Sequence, residues 1–132
     1  KYADTVGILD DKSALLNFLR MEKWLFGGPD VAGEAYRQFV KEFIQGNKLV
    51  GGGLVLGGQK VELKNLTMPI LNVYAERDHL VPPQSTVALG EHVGNKQDYK
   101  ELPINTGHIG IYTGGASQKI LAPGVSKWLK EH

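Results

Sequence analysis

The sequence has 132 residues, of which 42% are hydrophobic and 22% charged, and a net charge of +1, values typical of one modest globular domain. This balance gives no electrostatic case for binding nucleic acid or an anionic membrane, and no apolar run approaches the roughly 18–20 residues of a membrane span. The absence of cysteine excludes disulfides, thiolate metal sites and a thiol nucleophile within these 132 residues.

The first part of the sequence predicts two helices. An amphipathic stretch follows Asp10 and Asp11, either of which can cap a helix, and Gly27 marks its end. Pro29 suits the first turn of a second helix, and the apolar spacing predicts that this helix covers residues 30–45. Helices followed by a hairpin do not match the pattern of the later residues.

A predicted hairpin comes next, followed by a change in the pattern of predicted elements. Residues 54–56 and 59–63 predict two short strands joined by a Gly57-Gly58 turn. Residues 1–65 are predicted to form an insertion or cap, because their helices and hairpin lack the strand–helix alternation of the later residues. Residues 66–132 are predicted to form a separate core portion.

The later residues alternate strands and helices. Strand–helix–strand–helix alternation predicts parallel strands and the α/β class, with helices flanking the sheet. In chain order, the predicted elements are a strand at 70–75, a helix at 84–93 that Ser85 caps, a strand at 99–104, a glycine-rich loop, and an amphipathic stretch at 116–131 that Pro123-Gly124 kinks or divides.

An acid and a histidine follow the two predicted strands. Asp78 comes three positions after the first strand, and His108 comes four positions after the second, in the run Gly107-His108-Ile109-Gly110. Functional groups of open α/β sheets sit just beyond the carboxyl ends of the strands. An acid followed by a histidine is also the chain order of the last two members of an α/β-hydrolase triad. The spacing therefore predicts that Asp78 and His108 are catalytic, with Gly107 and Ile109 lining the site.

The other histidines have weaker claims. His79 adjoins Asp78 and either lines the site or is an exposed loop residue, while His92 and His132 fit surface positions near helix ends. No His-x-x-x-His motif or acidic cluster predicts a metal site. The glycine runs lack the Gly-Lys-Ser/Thr of a phosphate loop. Neither a metal site nor a phosphate loop is therefore expected.

Three segments carry a resemblance to a known family. "YAERDHLVPP", "NTGHIGIY" and "MEKWLFGGPDVAGEAYRQFVKEFIQGNKLV" closely resemble the C-terminal part of polyhydroxyalkanoate synthases, above all the two-subunit type called class III. The likeness covers essentially the whole chain, including "LKNLTMPILNVYAERDHLVPP". It is more specific than the spacing of the acid and the histidine alone.

The resemblance implies a fold, a reaction and a location. Such synthases are α/β-hydrolase-fold acyltransferases of the cytoplasm that act at the surface of polyester granules. They polymerise (R)-3-hydroxyacyl-CoA, typically 3-hydroxybutyryl-CoA, onto a growing polyester chain and release CoA, without a cofactor. The family's aspartate falls on Asp78 and its histidine on His108. The helical segment 11–47 corresponds to a cap that is implicated in dimer contacts, and a second synthase subunit is the implied partner.

The sequence departs from the family in one respect. The family's cysteine nucleophile lies on an upstream Gly-x-Cys-x-Gly elbow, whereas this chain has neither a cysteine nor a Gly-x-Ser-x-Gly motif. Ser117 lacks the trailing glycine and lies after the histidine. We therefore expect two triad members without their nucleophile, and a chain that is inactive alone.

Two alternatives remain open at this point. The chain can be part of a serine-elbow α/β-hydrolase such as an esterase, with its nucleophile upstream. It can also be a non-catalytic cap and dimerisation module, in which the helix at 30–45 is an interface. A cysteine elbow in the complete protein supports the synthase, and a serine elbow supports the esterase. Self-association through residues 11–47 together with an unformed Asp78–His108 pair favours the non-catalytic module.

Overall fold

The computed structural model describes residues 6–132, except for the side chain at position 116. The chain divides into two compact units, Lys1–Val40 and Lys41–His132. The predicted boundary between cap and core lies instead between residues 65 and 66. Compactness does not decide which residues would cover an active site, so the predicted cap and core remain predictions, and residues 1–5 of the cap lie outside the described residues.

The described part of the first unit, from residue 6 onward, contains two α-helices. A 3₁₀ turn at Val6–Ile8 precedes helix α1, Lys12–Phe26, and a second helix, α2, covers Gly33–Phe39. Asp11, rather than Asp10, caps α1, since its Oδ1 accepts the backbone N–H groups of Ser13 and Ala14 at 2.9 Å each. The predicted start of the second helix at residue 30 is wrong. Proline is compatible with a first helical turn but does not require one, and α2 begins four residues after Pro29.

The second unit opens with irregular helix and a hairpin. A π-helical stretch, Val40–Gln45, begins at the last residue of the first unit and ends at Gly46, as predicted. The short helix α3, Lys48–Gly51, follows. Strands β1, Val55–Leu56, and β2, Gln59–Lys60, pair antiparallel. The predicted Gly57-Gly58 turn is confirmed, because both glycines have positive φ, 56° and 78°. The predicted second strand is too long, since Leu63–Asn65 forms a 3₁₀ turn.

The sheet that carries the predicted site has two parallel strands. Strand β3, Ile70–Ala75, and strand β4, Tyr99–Ile104, occupy the predicted residues and pair in parallel, with Ile70 opposite Tyr99 and Ala75 opposite Ile104. The α/β class is thereby supported. Four apolar side chains are buried among the described residues, all in the second unit: Leu54, Ala75, Val93 and Ile104.

The connection between the strands differs from its prediction. Two short helices, α4 at Pro83–Val87 and α5 at Leu89–His92, replace one helix over 84–93. Ser85 lies inside α4 and is not its cap, because Pro83 occupies the first turn, where a proline loses no hydrogen bond.

The region after β4 is more helical than predicted. The glycine-rich loop contains the short helix α6, Gly110–Thr113. Helix α7, Gly115–Glu131, then runs without a break through Pro123, so the predicted division into two pieces is not found. Gly124 lets α7 approach β4, since an added Cβ would lie 2.7 Å from the Leu102 side chain. No helix within residues 6–132 combines the length and apolar character needed to cross a membrane.

Candidate active site at the carboxyl ends of the parallel strands

The two parallel strands deliver the predicted acid and histidine to one edge of the sheet. Strand-like pairing continues past the strands, because the N–H of Glu76 donates to the Ile104 carbonyl at 2.9 Å and the N–H of Arg77 donates to the Thr106 carbonyl at 3.0 Å. The loops after β3 and β4 therefore stay side by side. Asp78 directly follows Arg77, and His108 lies two positions after Thr106, so the two side chains can meet.

Asp78 and His108 are in direct contact. Nδ1 of His108 lies 2.7 Å from Oδ2 of Asp78. A carboxylate can only accept, so Nδ1 carries the proton and donates it, which leaves Nε2 as the lone-pair nitrogen of the neutral ring. This is the orientation that an acid gives a histidine base in a triad. The structure thus brings the two residues together as predicted, while their catalytic role remains a prediction.

The second oxygen of Asp78 holds the loop that follows β3. Oδ1 accepts the backbone N–H groups of Leu80 and Val81, each at 2.9 Å. Partial burial acts to raise the pKa of Asp78, but the hydrogen bonds from Val81, His108 and Leu80 outweigh it, so that the pKa lies below the ordinary value of 3.8. Asp78 is therefore ionised at neutral pH and its carboxylate is fixed at both oxygens.

The two side chains differ in their access to solvent. The Asp78 side chain is 11% exposed, whereas that of His108 is 43% exposed. The acid thus lies beneath the histidine, and the imidazole stands where a reactant can reach it. Such a pair can take a proton from a thiol or hydroxyl while the carboxylate stabilises the imidazolium that forms.

The remaining predicted site residues lie beside this pair. Gly107 and Ile109 flank His108 and are half-buried, while His79 is exposed. The backbone is crowded at Gly110, where an added Cβ would lie 2.0 Å from Oγ1 of Thr106. Such crowding is absent at Gly107, where the nearest atom would be the Arg77 carbonyl oxygen at 3.7 Å, an ordinary contact.

The sequence does not predict the hydrogen bonds of two residues near the pair. The guanidinium of Arg77 donates to the Asn105 carbonyl at 3.2 Å, and the buried hydroxyl of Ser117 donates to the Gly110 carbonyl at 2.6 Å. The sequence motif around Ser117 bears only on a nucleophile. The place of Ser117 in the first turn of a helix that follows a glycine pair is the one sequence signal for a hydroxyl turned back onto a loop. No group of three or more metal-binding side chains occurs among the described residues.

The class of site that this geometry resembles is the acid–histidine pair of a triad, since an ionised aspartate orients a histidine and each follows one of two adjacent parallel strands. Over 131 residues, 99% of the chain, the sequence is 53% identical to the poly(3-hydroxyalkanoate) polymerase subunit PhaC of Synechocystis sp. and 52% identical to that of Allochromatium vinosum. It is 40% identical over the same length to the subunit of Haloferax mediterranei.

The chain matches only one segment of these relatives. It spans 35% of the Synechocystis subunit and 37% of the Allochromatium subunit. No family model and no solved structure matches the chain. The resemblance to polyhydroxyalkanoate synthases is confirmed: this chain is a relative of poly(3-hydroxyalkanoate) polymerase subunits, and corresponds to about a third of their length.

Proposed function

We propose that the chain is the C-terminal portion of a poly(3-hydroxyalkanoate) synthase, an acyltransferase that polymerises (R)-3-hydroxyacyl-CoA and releases CoA. One observation carries this proposal. A chain 53% identical to a polymerase subunit holds an aspartate and a histidine 2.7 Å apart, in the order and at the strand ends that a triad needs. The third member, a cysteine, is proposed to lie upstream in the complete protein, and this portion alone is proposed to be inactive.

The geometry suits both halves of the reaction. A thiol has a pKa of about 8.5, so a neighbouring base raises the fraction of reactive thiolate. Nε2 of His108 would take the thiol proton, and the thiolate would attack the thioester carbonyl of the substrate. The acyl group then passes from the sulfur of CoA to the cysteine sulfur, and CoA leaves with the proton.

The second half of the reaction makes a stronger demand on the base. The hydroxyl of the next monomer is a far weaker acid than a thiol, so its attack on the acyl-enzyme needs a base within hydrogen-bond reach. His108 would remove this proton as the oxygen attacks, forming the ester bond and returning the cysteine thiolate. Asp78 stabilises the imidazolium at each of these steps.

The proposal extends to fold and assembly. We infer an α/β-hydrolase fold in which residues 1–65 form a cap and residues 66–132 complete the core, since the parallel pair and the acid–histidine order both fit that fold. The named relatives are polymerase subunits, which supports a second synthase subunit as partner. A homo-oligomer is proposed as well. We place the complete protein in the cytoplasm at the polyester granule surface.

The test is an assay of the complete protein in which this chain occurs. With (R)-3-hydroxybutyryl-CoA, we expect release of free CoA in step with formation of an insoluble polyester, both measured by chromatography. Hydrolysis of nitrophenyl esters with no polymer from the CoA substrate would instead assign the chain to an esterase. Absence of both activities in a folded protein would favour the non-catalytic module.

A further inference from the structure

The loop that carries His108 is fixed on its amino-terminal side. The backbone N–H of Arg77 donates to the Thr106 carbonyl at 3.0 Å, and the Arg77 guanidinium donates to the Asn105 carbonyl at 3.2 Å. Both bonds join the loop after β4 to the loop that bears Asp78. They fix the position of Thr106, two residues before His108, relative to the loop that bears Asp78.

The same loop is fixed on its carboxyl-terminal side by a buried serine. The Ser117 side chain, in the first turn of α7, is 1% exposed, and its hydroxyl donates to the Gly110 carbonyl at 2.6 Å. That carbonyl also accepts the N–H of Gly114 at 2.8 Å. A buried hydroxyl without a partner would be costly, so the bond to Gly110 is what makes a serine compatible with this position.

The two residues that these bonds hold, Thr106 and Gly110, are in close contact. The backbone of Gly110 lies against the Thr106 side chain so closely that a Cβ on Gly110 would come within 2.0 Å of Oγ1 of Thr106. Between these anchored residues lie only Gly107, His108 and Ile109. A shift of Gly110 is therefore passed directly to the segment that bears the imidazole.

Packing does not hold His108 in the way that it holds a buried side chain. Its side chain is 43% exposed, and within residues 6–132 its ring bonds to Asp78. The position of Nε2 must then follow from that one bond and from the two backbone anchors. A general base has to lie within hydrogen-bond reach of the proton that it removes, so this placement decides how well His108 can act.

We propose that Ser117 is a positioning residue, whose buried hydroxyl holds Gly110 and thereby sets the His108 ring against Asp78 for proton transfer. This inference rests on the proposed function for its effect on the rate. Its effect on geometry is independent of the substrate. Ser117 does not touch the reacting atoms and acts through the loop alone.

The experiment compares Ser117→Ala with Ser126→Ala in the complete protein. Ser126 is an exposed serine of the same helix, so its substitution removes a hydroxyl without touching the loop. With ¹⁵N-labelled histidine, the hydrogen-bonded Nδ1–H of His108 gives a downfield proton resonance. We expect Ser117→Ala to shift or broaden this resonance, and Ser126→Ala to leave it unchanged.

Kinetics with (R)-3-hydroxybutyryl-CoA provide the second readout. We expect Ser117→Ala to lower kcat by about tenfold to 10²-fold, the latter being the effect of a misplacement of about 1 Å, with little change in KM. Ser126→Ala should keep the original kcat. A wild-type protein that is inactive on this substrate would overturn the proposed function, while the resonance would still test the positioning role.

The result that overturns the inference is a folded Ser117→Ala protein with an unchanged resonance and an unchanged kcat. If Ser117→Ala does not fold, Ser117→Cys replaces it, because a thiol has nearly the same shape and is a weaker donor. A folded Ser117→Cys protein should show an intermediate loss of kcat and a displaced resonance. Wild-type values for both would equally overturn the inference.

Discussion

Each oxygen of the Asp78 carboxylate has its own task. Oδ2 accepts from His108 at 2.7 Å, and Oδ1 accepts from the backbone of Leu80 and Val81. The residue therefore links the loop after β3 to the histidine of the neighbouring loop. Its charge stabilises the folded chain as well as orienting the His108 ring.

This double role predicts a dependence of stability on pH. Because the pKa of Asp78 in the folded chain is below the ordinary 3.8, the unfolded chain binds more protons between those two values. The stabilisation is complete above about pH 5 and is lost as the pH falls through 3.8 towards the folded pKa. We expect the advantage of wild type over Asp78→Asn in urea unfolding, at one fixed protein concentration, to shrink in that range. Curves that stay parallel down to about pH 3 would contradict this role.

The sequence was sufficient to predict that Asp78 and His108 lie together, but not which residues hold their loops in place. Asp78 and His108 were predictable because a strand end fixes where its next residues lie, whatever the rest of the fold. The roles of Arg77 and Ser117 were not predictable. Arg77 donates to a backbone carbonyl 28 positions away in the sequence, and Ser117 donates to one seven positions away. Such contacts depend on how the loops fold back, which no local pattern of residue types encodes.

At the scale of elements, strands were predicted better than helices. Residues 70–75 and 99–104 form β3 and β4 with the predicted bounds, because proline and polar residues bracket their short runs. The helix predicted at 84–93 forms as two short pieces, and α6 lies inside a predicted loop. Apolar spacing gives the face of a helix but does not fix where its hydrogen bonding starts or breaks.

The packing of α6 against the loop before it predicts unequal effects for two neighbouring glycines. Gly110→Ala places a Cβ 2.0 Å from Oγ1 of Thr106, so we expect it to lower the free energy of unfolding by about 1–3 kcal/mol. Gly107→Ala meets its nearest atom at 3.7 Å and should leave stability unchanged or raise it by about 0.4–1 kcal/mol. Urea unfolding of both variants at the same protein concentration tests this contrast, and equal losses would contradict it.

Residues 6–132 contain few buried side chains. None of the described residues between positions 6 and 40 is buried, although Leu19 and Trp24 are large apolar side chains, 54% and 63% exposed. In the second unit, the parallel sheet consists of β3 and β4, so that within residues 6–132 each strand leaves one edge unpaired. Unpaired edges and exposed apolar side chains are what a chain shows when its covering partners are elsewhere.

We therefore expect the isolated 132-residue chain to associate with itself or to rearrange so as to cover these surfaces. Sedimentation velocity over a concentration series measures this directly. The sedimentation coefficient should rise with concentration, because burial of apolar surface drives the association. A compact, stable monomer at every concentration would count against the view that this chain is one portion of a larger core.

The burst of CoA release when the complete protein is mixed with (R)-3-hydroxybutyryl-CoA measures whether Asp78 and His108 act as the proposed acid–base pair. His108→Ala removes the proposed base, and His92→Ala removes a histidine at the end of α5 as a matched control. We predict that the rate of the burst falls by about 10²–10⁴-fold in His108→Ala and stays at the wild-type level in His92→Ala. A folded His108→Ala protein that keeps the full burst would show that His108 is not the base.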